Sequence, residues 1–258
     1  MSNIITSISL TRRALVGTVL AGGSLALSGC DALGNNEHFR EILKFGEDAN
    51  YAIHRSLQGR MALAKEFRPD QRSPIFRSNG VHMPAGDAYA RHVASEFRDW
   101  TLIIDGLVIH PQILPLNQIR SLPARSQITR HDCVEGWSAI AKWTGVPVKF
   151  LLDRAGLKPE ARYIVFHCAD ANDGSPYYES FDLLDAYHPQ TILAWNLNDE
   201  PLPVPNGAPL RLRVERQLGY KHAKYVQRIE AVASLKTIYG GKGGFWEDGA
   251  GYEWYAGA

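Results

Sequence analysis

Arg130-His131-Asp132-Cys133-Val134-Glu135-Gly136-Trp137-Ser138 is the stretch on which the reading of this chain turns. It follows a strand-like run and gathers cations, carboxylates and an indole around one thiol. Cations beside a thiol favour the thiolate, the form that acts as nucleophile or metal ligand. Of the three cysteines, Cys30 closes an N-terminal apolar run, leaving Cys133 and Cys168. In an oxidising compartment two cysteines also suit a disulfide. His131, Cys133, His167 and Cys168 offer a two-His, two-Cys zinc set as well, although their spacing is unlike that of structural zinc sites.

Further along, Asn206-Gly207-Ala208-Pro209-Leu210-Arg211 is followed by Gly219-Tyr220-Lys221-His222-Ala223-Lys224. Taken alone, an Asn-Gly turn before a strand is a plain hairpin. The pair of runs also suits an anionic ligand: Gly207 permits close backbone approach, Arg211 can grip a phosphate with two donors, and Lys224 adds a point charge. Upstream, Phe76-Arg77-Ser78-Asn79-Gly80-Val81-His82-Met83-Pro84 lies in a Pro-, Ser-, Asn- and Gly-rich stretch from Arg68 to Pro84 that has no period and reads as a long loop over a surface or a ligand.

Together these three runs resemble segments of the sulfite oxidase superfamily, in which Arg-x-x-Cys-Val-Glu-x-Trp carries the single protein ligand to molybdenum. The likeness covers most of residues 70 to 235, and is strongest to the bacterial branch of periplasmic protein-methionine-sulfoxide reductases. The resemblance implies a molybdenum-molybdopterin cofactor with Cys133 as its metal ligand, and gives Arg130 and His131 roles in tuning the centre or orienting substrate. By the same resemblance Asn79, His82, Met83, Cys168, Asn206, Arg211, His222, Ala223 and Lys224 contact the pterin. One departure stands out: Phe166-His167-Cys168 occupies the place of a Phe-x-Thr run, so Cys168 either lines the cofactor or is a core thiol.

The N-terminus reads as an address. Thr11-Arg12-Arg13-Ala14-Leu15-Val16 puts a twin arginine before an apolar run reaching about Leu27, too short to cross a hydrocarbon core of roughly 30 Å. Leu27-Ser28-Gly29-Cys30 resembles a lipobox, whose cysteine accepts the lipid, and Asp31 resembles an inner-membrane retention signal. The expected division is a signal peptide over 1–30, a tether over 31–37 and a catalytic domain over 38–258, held by a lipid anchor at Cys30 on the periplasmic face of the cytoplasmic membrane.

Within the mature chain, Phe39, Ile42, Leu43, Ala49, Ile53 and Leu57 recur at helical spacing behind Asn36 as a cap. Thr101–Ile104 and Leu107–Ile109 flank Asp105-Gly106, a strong hairpin signal. Further strands are expected at Arg162–Cys168, Thr191–Leu197, Leu210–Glu215 and Val226–Val232, with a helix over Val148–Ala155 closed by Gly156 and another beginning at Asp182. Few strand pairs are joined by helix-length crossovers, so the pattern predicts a mixed α+β domain rather than a doubly wound one.

The balance of 28 basic against 27 acidic residues gives a net charge of +1, which offers no field for nucleic acid. Without a Cys-x-x-Cys-His haem motif, a monomer is expected that acts on a small-molecule substrate and exchanges electrons with a separate partner, a cytochrome or membrane haem protein. For the Gly- and aromatic-rich tail from Gly240 to Ala258, plain packing on the core is the simplest expectation, with covering of the cofactor entrance or a docking surface as alternatives.

Overall fold

The computed structural model describes residues 36–57, 61–172 and 174–257. The expected signal peptide, the lipid-accepting Cys30 and nearly all of the tether lie outside the described residues. The chain divides into two compact units, Met1–Leu57 and Gln58–Ala258. In the first, α1 spans Glu37–Leu57, and its start is capped as the sequence anticipates, with the Phe39 N–H donating to Asn36 Oδ1 at 3.2 Å. No helix among the described residues is long and apolar enough to cross a membrane.

The second unit carries one mixed sheet, one antiparallel sheet and short helices, an α+β architecture. α2 (Asp87–Ala94) precedes β1 (Thr101–Gly106), β2 (Gln112–Pro115), α3 (Leu116–Arg120), β3 (Arg125–Cys133), β4 (Trp137–Pro147) and α4 (Val148–Ala155). There follow β5 (Tyr163–Asn172), β6 (Ser175–Asp182), α5 (Leu183–Ala186), β7 (Ile192–Leu197), β8 (Glu200–Pro201), β9 (Arg211–Arg213), β10 (Val226–Val232) and α6 (Phe245–Ala250). One sheet runs β2-β1-β10-β5-β6, and the other β3-β4-β7, with β8 and β9 both paired to β7. Only β1 and β10 run parallel.

Strand alternation builds the core. Leu102 and Ile104 of β1, Ile164 and Phe166 of β5, Val146 of β4, Leu193 and Trp195 of β7, and Leu151 and Leu152 of α4 share one buried cluster. The opposite face of the second sheet makes a smaller one from Ala141, Trp143, Ile192 and Ala194, against which Phe76 of the long loop packs. Asp182 caps α5 by accepting from the Asp185 N–H at 2.9 Å.

The hairpin expected at Asp105-Gly106 does not form. β1 instead continues through Gly106, paired with Ala231 of β10. A Cβ on Gly106 would stand 2.3 Å from the Ala231 carbonyl oxygen, so glycine here serves close strand approach rather than a turn. The chain then swings out, with Ile109 and His110 N–H donating to Gly156 and Ala155 carbonyls, and returns as β2.

Candidate active site

Cys133 is the last residue of β3, at the mouth of the β3–β4 hairpin. The connection Val134-Glu135-Gly136 is three residues long, and Gly136, at φ +85°, takes the left-handed conformation that such a loop requires. β3 alternates strictly: Thr129, His131 and Cys133 are buried while Arg130 faces out and pairs with Asp132 at 2.9 Å. Arg130 is therefore not the cation that serves the thiol.

That cation is Arg211. A cleft of about 270 Å³ is lined by Asn79, Cys133, Glu135, Asp170, Tyr177, Arg211, Gly219, Tyr220, His222, Lys224, Trp246 and Tyr252, among others. Burial raises the Cys133 thiol pKa, opposed by the N–H groups of Glu135 and Val134 and by the Arg211 charge. The Asn79 amide donates toward Cys133 Sγ at 3.9 Å. Both Cys133 and Cys168 are free thiols, so the disulfide alternative is excluded. The zinc alternative also fails, because no group of three or more His, Cys, Asp or Glu among the described residues is arranged to hold a metal ion.

Five of the sequence-derived site residues meet in this cleft: Asn79, Cys133, Arg211, His222 and Lys224. Lys224 spends its donors on the backbone, reaching the carbonyls of Asn79 at 2.6 Å, Pro205 at 3.0 Å and Val81. It thereby ties the 79–81 loop to the turn before β9. Burial and Arg211 push its pKa down to about 7, while three accepting carbonyls favour its charged form. Gly207 gives its close approach to this lysine, since a Cβ there would meet Lys224 Cβ at 2.9 Å. Asn206 is buried and accepts through its carbonyl from Arg211 Nη1 at 3.1 Å.

The other expected contacts lie elsewhere. His82 and Met83 are exposed, and neither lines the cleft. Cys168 and Ala223 are buried in the main core. His131 stands behind Gly219, packed on Phe76, Trp137 and His222 rings. Asp170 was not apparent from the sequence: burial raises its carboxyl to about 6, and its Oδ1 has no partner. Its environment depends on the charge of Lys224, brought in by the loop before β10, a proximity that no local pattern encodes.

Arg211 tests whether a phosphorylated metal-pterin suits the cleft. The residue is 1% exposed, and its guanidinium pairs with no carboxylate among the described residues and leaves Nε without a partner. Burial and Arg213 push its pKa down to about 9. A buried, uncompensated cation costs several kcal/mol unless an anion joins it. A soft sulfur donor and an unmatched cation in one cleft fit a thiolate-ligated metal on an anionic organic ligand.

Residues 90–239 match the family described as oxidoreductase molybdopterin binding domain. The putative protein-methionine-sulfoxide reductase subunit YedZ1 of Azospira oryzae is 36% identical over 244 residues, 92% of this chain and 84% of that protein. The protein-methionine-sulfoxide reductase catalytic subunit MsrP of Gluconobacter oxydans is 39% identical over 143 residues, 50% of this chain but only 46% of that protein. Among solved structures, the sulfane dehydrogenase SoxCD of Paracoccus pantotrophus aligns with TM-score 0.49 at 24% identity, covering 54% of this chain and 40% of that one.

Proposed function

Since the chain belongs to the oxidoreductase molybdopterin-binding family, and is thus a molybdenum-molybdopterin oxidoreductase of the sulfite oxidase type, we propose that it reduces sulfoxides outside the cytoplasm with electrons from a separate membrane partner. The observation that carries this reading is the buried Cys133 thiol sharing a cleft with the unmatched Arg211 guanidinium. The sulfoxide preference is supported by the names of the two reductase relatives.

The cofactor, when bound, supplies the oxygen-atom and two-electron chemistry. The chain supplies the rest. Cys133 gives the thiolate ligand, and the Asn79 amide orients it. Arg211, steadied by the Asn206 carbonyl, holds the phosphate. Lys224 fixes the loop that brings Asn79 to the thiol. Reduction of a sulfoxide takes two electrons and two protons and releases a sulfide and water, and Asp170 is the cleft carboxyl whose pKa suits holding one of those protons near neutral pH.

The address is part of the proposal. Arg12-Arg13 and Leu27-Ser28-Gly29-Cys30 support export by the twin-arginine route and a lipid anchor at Cys30. Residues 1–30 are then the signal, 31–37 the tether and 38–258 the catalytic domain, monomeric and at the periplasmic face of the cytoplasmic membrane.

The test is full-length protein matured in a molybdenum-replete host, with metal content and dye-linked reduction of a sulfoxide panel measured beside Cys133→Ala. The parent should carry molybdenum and turn over sulfoxides, and the variant should lose both while keeping its thermal unfolding transition. A parent that holds no molybdenum or pterin sinks the reading.

A further inference from the structure

The C-terminal tail closes one side of the Cys133 cleft with aromatic rings. Trp246 sits on α6 and Tyr252 just beyond it, and their rings stack at 5.7 Å with an interplanar angle of 26°. Tyr220 meets Tyr252 edge-on at 5.0 Å, and all three line the cleft. The arrangement is built rather than incidental. Gly251, at φ +68°, caps α6 in the left-handed conformation, and the N–H groups of Gly251 and Tyr252 both return to the Trp246 carbonyl. Glu247 is 1% exposed and ion-paired with the buried Lys221, which locks the helix to the core. The Tyr220 hydroxyl donates to the Glu253 carbonyl at 2.6 Å.

Yet the rings themselves stay partly open, Trp246 half-buried and Tyr252 exposed. Charge at this edge is the wrong sign for an anion. Glu135 is the exposed carboxyl lining the cleft, Arg211 and Lys224 are buried, and Arg130 faces away to Asp132. The tail also lies beyond residues 90–239, the part that matches the family.

We infer that Trp246 and Tyr252 form the face on which the alkyl arms of a neutral sulfoxide rest, so that the tail selects neutral alkyl sulfoxides over sulfite and other oxyanions. The inference rests on the reductase reading above. Aromatic faces attract alkyl groups, and Glu135 in the same cleft lining repels an oxyanion.

The experiment uses the full-length, molybdenum-loaded enzyme and the variants Trp246→Ala, Trp246→Phe and Tyr252→Leu. It reads molybdenum content, KM and kcat for methionine sulfoxide, and calorimetric binding of methionine sulfone as a probe that is not turned over. Trp246→Ala and Tyr252→Leu should weaken sulfone binding and raise KM about three- to tenfold, with kcat within about twofold and metal content unchanged. Trp246→Phe should recover most of the loss. If the parent reduces sulfoxides and the Ala and Leu variants match it in KM and sulfone affinity, the inference alone is overturned. Loss of molybdenum in those variants also overturns it, because the rings would then serve the cofactor. A parent that ignores sulfoxides and oxidises sulfite overturns both the reductase reading and this one.

Discussion

Arg213 donates from Nη1 to His131 Nδ1 at 3.0 Å, two residues from Cys133. Because a guanidinium only donates, that nitrogen must be an acceptor and the ring is the neutral Nε2–H tautomer. His222 is fixed in the same form by the Val214 and Gln217 carbonyls that accept from its Nε2 at 2.9 and 3.1 Å. Burial and the Arg213 charge keep both rings well below the usual histidine range. The ground behind the thiol is thus a neutral, packed pair of imidazoles rather than a proton reservoir.

Arg213 owes its place to Glu215, which it grips twice at 2.9 and 2.7 Å with both side chains wholly buried. Replacing Arg213 with Met leaves that carboxylate, among the described residues, with only the Gln127 amide at 2.8 Å. Removing one partner of a buried pair costs about 3–5 kcal/mol. Urea unfolding of Arg213→Met should register a loss of that order, and the double variant Arg213→Met/Glu215→Leu should regain most of it. A single variant as stable as the parent would contradict the pairing.

Gly219 makes room for the same ring. A Cβ there would stand 2.6 Å from His131 Cε1 and Nε2 and 3.0 Å from the Asp132 carbonyl oxygen. Since His131 is locked by Arg213, the neighbour cannot yield freely, and overpacking of this kind costs about 1–3 kcal/mol. Gly219→Ala should lower the thermal midpoint and, by shifting the end of β3, reduce bound molybdenum. An unchanged midpoint and metal content would show that the ring relaxes without consequence.

Much of this site was readable because its residues sit in short local runs. Cys133, Arg211, His222 and Lys224 each come from a contiguous motif, and period-two alternation along β3 already separates Arg130 from His131 and Cys133. What the sequence hid depends on partners far along the chain. Asp105-Gly106 has the composition of a hairpin, but pairing with β10 overrides the local turn preference. Asp170 is exceptional only because Lys224 and the cleft surround it. Val148–Ala155 and Val226–Val232, by contrast, appear with the bounds expected, since helical spacing with a Gly156 stop and apolar β-branched residues spaced among polar ones are self-sufficient signals.

His188 makes stability depend on pH. Its Nε2–H donates to the Ala62 carbonyl at 3.0 Å and its Nδ1 accepts from the Gln190 N–H at 3.3 Å, so the neutral ring pins the extended segment at residues 62–64. Burial, with Arg216, pushes its pKa down to about 4. The folded value lies below the unfolded one, near 6.5, so the unfolded chain takes the proton first. The contribution of this ring is complete above about pH 6.5, falls by at most about 1.4 kcal/mol per pH unit on the way to pH 4, and is level below that. Urea unfolding from pH 7.5 to 4.5 should show a shallower decline for His188→Gln than for the parent. Parallel declines would remove His188 from the account.

Arg211 sets function against stability most directly. In the cofactor-free chain it is a buried cation without a carboxylate partner among the described residues, stacked at 5.5 Å over the Trp143 ring and 5.9 Å from Phe76. Methionine has similar length and no charge to desolvate. Arg211→Met should therefore leave the cofactor-free protein as stable as the parent or more so, by up to about 3 kcal/mol. The same change removes the donors assigned to the phosphate, worth about 1.5–3 kcal/mol, and should cut molybdenum retention roughly tenfold or more. Calorimetric melting of cofactor-free material and elemental analysis of matured material check the two halves separately. A variant that is destabilised without cofactor yet retains molybdenum in full would mean that Arg211 is a structural cation, and that the phosphate is held elsewhere.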